Sequence, residues 1–424
     1  MIRFLLKGIL RDRSRSLFPS LVVIGGVMLT VVLYSWMMGF EKDIVRANAS
    51  FRSGHLIVMS KPYAKSFDQT PNDLAYLGAA DLLDKLKQDF PGVTWSPRIH
   101  FAGLIDVPDS SGETATQGPV IGLGADLLSD NSIEPEVLNL SEAIVAGRLP
   151  SRPGEMLMTN ELARRLNVAL GQTVTIITTT MYGSMTSFNL TVAGTIRFGV
   201  AAMDRGLIIA DLNDIRGGLD MMDAAGEVVG FFNDGRYWPI RAEQITNTFN
   251  ESVAADTNKF APVMMTLMEH SGLEPTLKMY GYVSGTLVSI FVVAMSIVLW
   301  NAGLLGSIRR YGEFGIRLAV GETKGHLYRF LITESALIGL LGSIVGTILG
   351  ILLSWYLQEV GIDVSSFMKN ASIVMSDVLR AQVTPTSYFI GLVPGLVATL
   401  LGSMISGIGI YRRQTSQLTK EFEA

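Results

Sequence analysis

Four apolar stretches without a single Asp, Glu, Lys or Arg punctuate the chain: Leu17–Phe40, Tyr282–Ile308, Ala336–Leu357 and Tyr388–Tyr411. Each runs 22 to 27 residues, enough to cross a hydrocarbon core of about 30 Å as an α-helix. Their spacing is one, a long gap, then three. The 241 residues of the gap, 41–281, have the mixed polarity of a soluble domain. The pattern predicts a membrane α-helical part of four transmembrane helices in a 1+3 arrangement and one large α+β domain on a single side of the bilayer. The full division is 1–16, span 17–40, domain 41–281, span 282–308, loop 309–335, span 336–357, short loop 358–387, span 388–411 and tail 412–424.

Within the large domain, Glu41–Phe51 reads as a helix continuing from the first span, with Ile44, Val45 and Phe51 at helical spacing. His55–Ser60 is a short apolar strand and Ala79–Phe90 an amphipathic helix ended by Pro91-Gly92. Arg98–Val107 alternates like a strand, whereas Asp109–Gly118 reads as a polar turn region. Asn160 opens a helix through Leu166. Thr173–Thr180 and Phe188–Thr195 are β-rich runs joined as a hairpin, and Asp211 caps another helix. From Arg241 to Lys278 the pattern is mostly helical. Two helical stalks therefore carry the head, with a separate subdomain expected over 110–200.

Basic residues set orientation. Arg3, Lys7, Arg11, Arg13 and Arg15 precede the first span, Arg309, Arg310, Arg317, Lys324 and Arg329 follow the second, and Arg412, Arg413 and Lys420 follow the fourth. The 358–387 loop holds Lys369 and Arg380 against Glu359, Asp363 and Asp377. Both termini and the 309–335 loop are expected in the cytoplasm, with the large domain outside. The first span is too long for a signal peptide and lacks a small-residue cleavage site, so it reads as an uncleaved anchor. A net charge of −4 argues against nucleic acid. With no cysteine and four scattered histidines, thiolate chemistry is excluded and no metal site is expected.

In the third span Gly342, Gly346 and Gly350 recur four apart, a spacing that lets helices approach closely. This serves either packing within one subunit or helices that slide during a cycle. An ion-coupled transporter would normally carry an ionisable side chain inside a span, so the energy source is expected elsewhere. In the loop, Glu313 and Arg317 form an i,i+4 pair, and Phe314 and Leu318 share a face of a short amphipathic helix interrupted by Gly321. It reads as a helix lying on the inner leaflet or docking into a cytoplasmic partner.

The segment Arg309–Gly350 resembles the signature region of FtsX/MacB-type permeases of ABC transporters, a mechanotransmission group, through Arg310, Glu313, Phe314, Gly315, Ile316, Leu318, Ala319, Gly321, Glu334, Gly342 and Gly346. Met38–Ile44 with Gly54–Val58 resembles the end of the first span in the lipoprotein-releasing LolC/LolE permeases. Gly147–Pro150, Pro153–Glu155 and Leu170–Gln172 look like turns of the MacB-like periplasmic core. The resemblance covers nearly the whole chain and implies a non-catalytic permease of the bacterial inner membrane with a periplasmic head. Two departures stand out. No G-x-x-x-x-G-K-[ST] phosphate loop is present, so ATP and magnesium are expected on a separate cytoplasmic ATPase dimer. The hairpin Thr179–Ser187 is shorter than the chaperone-catching hook of LolC.

On this resemblance, Arg310, Glu313, Phe314, Arg317, Leu318, Gly321 and Lys324 would contact the ATPase. A second permease, the same chain or a paralogue, would complete the machine. Met37, Phe40, Ile44, Val283, Leu287 and Phe291 would line an apolar cavity that admits a lipoprotein or another amphiphile from the membrane lipid. A periplasmic chaperone or adaptor is a further implied partner. MacB-like export of antibiotics or peptides, FtsX-like regulation of cell-wall enzymes and a membrane-anchored sensor are the competing expectations.

Overall fold

In a computed structural model, residues 13–109, 111–270, 272–308, 311–364 and 378–412 are described. The chain divides into two compact units. One holds the apolar helices and the other, Asp43–Leu277 with 363–378, is the head.

The described elements used below are, in chain order, α1 (Arg13–Asn48), β1 (Leu56–Ser60), α2 (Ala79–Asp89), β2 (Val93–Pro108), β3 (Thr114–Ala125), α3 (Glu134–Val137), β4 (Ile144–Gly147), β5 (Glu155–Thr159), α4 (Asn160–Leu166), β6 (Thr173–Thr179), β7 (Met185–Ile196), β8 (Leu207–Asp211), α5 (Leu212–Leu219), β9 (Glu227–Phe232), α6 (Pro239–Ser252), β10 (Pro262–Thr266), α7 (Leu273–Ile308), α8 (Tyr311–Ala319), α9 (Lys324–Glu359) and α10 (Thr399–Arg412). α1 ends in a π-helical turn, Ala49–Ser53.

The head is one sheet in the order β10-β1-β9-β2-β3-β8-β5-β7-β4, with β6 pairing both β2 and β7. That last pairing closes β2, β3, β8, β5, β7 and β6 into a ring. The ring encloses Ile99, Phe101, Ile105, Met156, Ile176, Leu190 and Ile208, onto which α5 packs Leu212, Ile215 and Leu219. A second core lies at the other end of β2, where α2 and α6 bury Leu82, Leu86 and Phe249 against Leu56, Trp95, Val228 and Phe232. β2 is thus 16 residues long because it serves two lobes.

Three expectations change here. The segment expected as turn over 109–118 turns only at 109–113, and Thr114 begins β3. Asp109, Ser110, Ser111, Gly112 and Gly118 gave it the composition of a turn, and the strand that follows carries Gly122 and Gly124. In the structure a Cβ on Gly122 would overlap the Phe101 ring, and one on Gly124 would lie 3.0 Å from Ile215. The glycines are there for close packing. The stretch 241–278 is mostly helical as expected, but an unexpected strand, β10, interrupts it and pairs all five of its residues with β1. The ring lobe, built on the C-terminal half of β2 and called distal in that sense only, also exceeds 110–200, since it takes half of β2 and both β8 and α5.

Two polar clasps fix the head. At the turn between β4 and β5, Gly147 has φ +83°, a left-handed conformation that glycine adopts without steric cost. Arg148 then donates to both Glu155 oxygens at 2.6 and 2.7 Å, and Arg152 Nε and the Ser151 amide donate at 2.8 and 3.0 Å. The Arg148 hydrogen bonds lead a set that holds the Glu155 carboxyl down at about 2. The second clasp is buried. Arg98 and Glu134 are both fully buried. Arg98 Nε and Nη2 donate to the two Glu134 oxygens at 2.9 and 2.7 Å, while Nη1 donates to the Ser50 carbonyl oxygen at 2.8 Å.

Candidate functional site

In the membrane unit, small residues set the distance between helices. A Cβ on Gly342 would lie 2.7 Å from the Val23 side chain. On Gly346 it would lie 2.7 Å from the Ile24 carbonyl oxygen, and on Gly350 2.8 Å from Val31. From the fourth apolar segment, a Cβ on Gly391 would lie 2.5 Å from the Val27 side chain, and Gly395 lies against Ser343. Val23, Val27 and Val31 are buried as a result. Backbones this close gain dispersion contacts where lipid gives no hydrophobic drive between helices. Ser343 and Thr399 hydroxyls donate to the carbonyls of Gly339 and Gly395 at 2.6 and 2.7 Å, so neither leaves a polar group bare in hydrocarbon.

The fourth segment is not one regular helix. It runs from a 3₁₀ turn, Pro385–Tyr388, through a π-helical stretch, Val393–Ala398, into α10. Pro394 lacks the amide that a regular helix needs there. Its beginning is pinned to α1: Gln382 N donates to Ser35 O at 2.7 Å, the Ser35 and Ser387 hydroxyls are 3.1 Å apart, and Lys42 Nζ donates to Gln382 Oε1 at 2.6 Å. Gly39 lies against the Arg380–Ala381 backbone, where no side chain would fit.

Of the six residues expected to line a cavity, Met37 and Phe40 face the second apolar helix. The Phe40 ring stacks on Tyr280 at 4.9 Å, and Tyr280 OH donates to Met37 O at 3.0 Å. Tyr280 was missed in the sequence because it precedes the apolar stretch. Val283 and Leu287 are 51% and 50% exposed, and Phe291 is half-buried. Ile44 departs from the expectation. It lies in the head unit and is 6% exposed, so within one chain it lines no open surface.

The expected coupling segment is α8, a turn and the start of α9. Glu313, Phe314, Arg317 and Leu318 lie on α8 by backbone. The side chains of Glu313 and Phe314, and the whole of Arg310, lie outside the described residues. The Arg317 guanidinium sits 4.8 Å above the Phe330 ring, a cation–π contact between the two helices. Gly321 has φ +102°. Thr323 then caps α9, its hydroxyl accepting from His326 N at 3.4 Å. α9 begins at Lys324, twelve residues before the apolar stretch expected at 336. Nothing between Lys324 and Ala336 breaks a helix, so the loop expected over 309–335 is largely two helices. Ile316 and Val320 are 53% and 85% exposed on this short motif, apolar groups with no partner of their own among the described residues.

Four helical segments are long and apolar enough to cross a membrane: Pro19–Ser53, Leu273–Val298, Lys324–Glu359 and Pro385–Ile405. No group of three or more metal-ligating side chains is present among the described residues.

Residues 19–239 match the MacB-like periplasmic core domain, and residues 285–415 match the FtsX-like permease C-terminal family. Two curated relatives, each named lipoprotein-releasing system transmembrane protein LolC, come from Xylella fastidiosa strains Temecula1 and 9a5c. Both are 24% identical over 235 residues, covering 54% of this chain and 55% of theirs. The match thus spans about half the length of these relatives. The crystal structure of the periplasmic region of MacB from Actinobacillus actinomycetemcomitans aligns with a TM-score of 0.34 at 11% identity, over 53% of this chain and 92% of that one.

Proposed function

Because the chain belongs to the family of FtsX-like permeases with a MacB-like periplasmic core domain, we propose that it is the permease subunit of an ABC transporter whose ATPase is a separate cytoplasmic chain. The observation that carries this reading is that the FtsX-like match includes α8 and its glycine turn, a short motif with exposed apolar side chains between apolar stretches that hold no charge. The ATPase dimer, with ATP and magnesium in its own sites, would grip α8 through Phe314, Arg317 and Leu318. A second permease completes the assembly, since four spans make half of a two-fold machine. Both termini lie in the cytoplasm, in keeping with the Lys and Arg bias of the inner segments. Closure of the ATPases moves the spans, and the head performs the work outside.

The cargo we propose is a lipid-anchored protein, since the relatives at 24% identity are lipoprotein-releasing system proteins by name. Extracting an acyl chain costs about 0.8 kcal/mol per CH2, hence tens of kcal/mol for three chains. An apolar surface must therefore hold the chains while they leave the bilayer. Phe40, Val283, Leu287 and Phe291 supply it, facing the second permease.

The test is affinity purification of the chain from its native membrane with an assay of ATP hydrolysis. A stoichiometric ATPase, lost in Phe314→Asp, is expected. Lipid-anchored proteins should share the eluate and disappear in Phe291→Asp while hydrolysis persists. Purification without any ATPase in mild detergent overturns the reading.

A further inference from the structure

Arg98 is a fully buried arginine in the middle of β2, at the residue where β2 passes from one lobe to the other. Its pairing with β9 ends at Arg98↔Glu227, and its pairing with β3 begins at Ile99↔Gly124. A buried charge is costly and is retained in folds that satisfy it fully. Here every direction is used. Two donors hold the Glu134 carboxylate on α3, a third holds the Ser50 carbonyl, and the guanidinium lies 5.7 Å from the Phe231 ring. One side chain thus touches both lobes of the head and the turn that ends α1.

The stalk end is built to be held at that point. Ser50 lies in the π-helical turn Ala49–Ser53, an irregularity that leaves backbone carbonyls without their usual helical donors and often marks functional positions. On the distal-lobe side, Phe51 packs edge-on to Phe198 at 4.7 Å, and Ala47 is buried with Val200. These apolar contacts locate the stalk against the distal lobe, and the Arg98 hydrogen bond adds a directional tie to the Ser50 carbonyl.

We propose that Arg98 is a positioning residue, locking the end of the first stalk to the distal lobe so that movement of the stalk is transmitted as rotation of that lobe. The inference uses the permease reading only for what drives the stalk. The joint itself is a property of the head.

Removing Arg98 alone would strand Glu134 in the interior, so the informative variant replaces both charges. Arg98→Met with Glu134→Leu removes a buried ion pair in favour of apolar groups, an exchange that is commonly neutral or stabilising, while deleting the donor to Ser50. A second variant, Arg98→Lys, keeps a charge beside Glu134 but lacks the planar fork that spans both partners. The chain has no cysteine, so nitroxide labels go at the exposed Arg46→Cys on the stalk and Asp130→Cys on the distal lobe. Spin-echo distances are measured on the full chain in nanodiscs. The expected result is one narrow distribution with Arg98 present, broadened at least twofold in both variants, with the thermal midpoint of the double variant not lowered. In the assembled transporter the double variant should hydrolyse ATP yet release less than a tenth of the cargo. Distributions as narrow as wild type in both variants overturn the joint. The label experiment needs neither ATPase nor cargo, so that outcome would leave the permease reading standing, and a purification without ATPase would leave the joint standing.

Discussion

His55 shows how a single side chain can set the pH range of the head. It is buried, its Nδ1 accepts from the Phe232 amide at 3.0 Å, and Phe231, Phe232 and Tyr237 surround the ring. Burial pushes its pKa down to about 4, with nearby Asp234 opposing only in part. In the unfolded chain the imidazole takes up a proton near pH 6.5. Between those values only the unfolded state binds the proton, so stability is full above about pH 6.5 and falls as pH drops toward 4. The loss amounts to about 3 kcal/mol at the bottom of that window. We expect His55→Asn, which keeps an acceptor for the Phe232 amide, to flatten the thermal midpoint between pH 7 and 5 relative to wild type. Parallel slopes in the two proteins would rule this out. Neither this role nor that of Arg98 is legible in the sequence. An isolated histidine and an arginine at an alternating strand position look like solvated polar residues until their long-range partners are known.

Elements were legible where spacing and packing pull the same way. The third apolar stretch keeps glycine every fourth residue, and those glycines meet α1. The same rule separates them from glycines that look alike in sequence. Gly281 and Gly285 are also four apart, yet nothing in the chain lies within 4 Å of a Cβ there. Gly346→Leu should overpack the α1 contact and cost about 1–3 kcal/mol, seen as a lowered melting temperature and aggregation in detergent. Gly285→Ala should leave the isolated chain unchanged. Equal effects from the two substitutions would mean that the glycine spacing is not what holds α9 to α1. The elements that were not legible are those whose composition answers to packing instead of conformation. β3 does not read as a strand because its first five residues are polar or small and its later glycines answer to Phe101 and Ile215, and β10, Pro-Val-Met-Met-Thr, is too short and too rich in methionine to stand out from neighbouring helical patterns. The long reach of α9 was hidden by charges at Arg329 and Glu334, which end a hydropathy window but not a helix.

At the scale of the molecule, the distribution of charge determines what can drive it. None of the four apolar stretches contains Asp, Glu, Lys or Arg, and the Ser343 and Thr399 hydroxyls close onto backbone carbonyls. A path for protons or ions needs side chains that change charge or coordinate within the bilayer. On the proposed permease reading, energy would enter through the α8 motif and leave through the head. The first stalk should therefore respond to nucleotide alone. In membrane vesicles holding the chain with its ATPase, a cysteine at the exposed Arg46→Cys gives a direct readout, since no other cysteine competes for maleimide. Its alkylation rate should change severalfold on adding ATP with magnesium, revert with vanadate, and ignore a protonophore. A rate that follows an imposed proton gradient without ATP would place the energy source inside the spans, contrary to the charge distribution. An unchanged rate under every condition would detach the stalk from the motor and leave the head as a static platform.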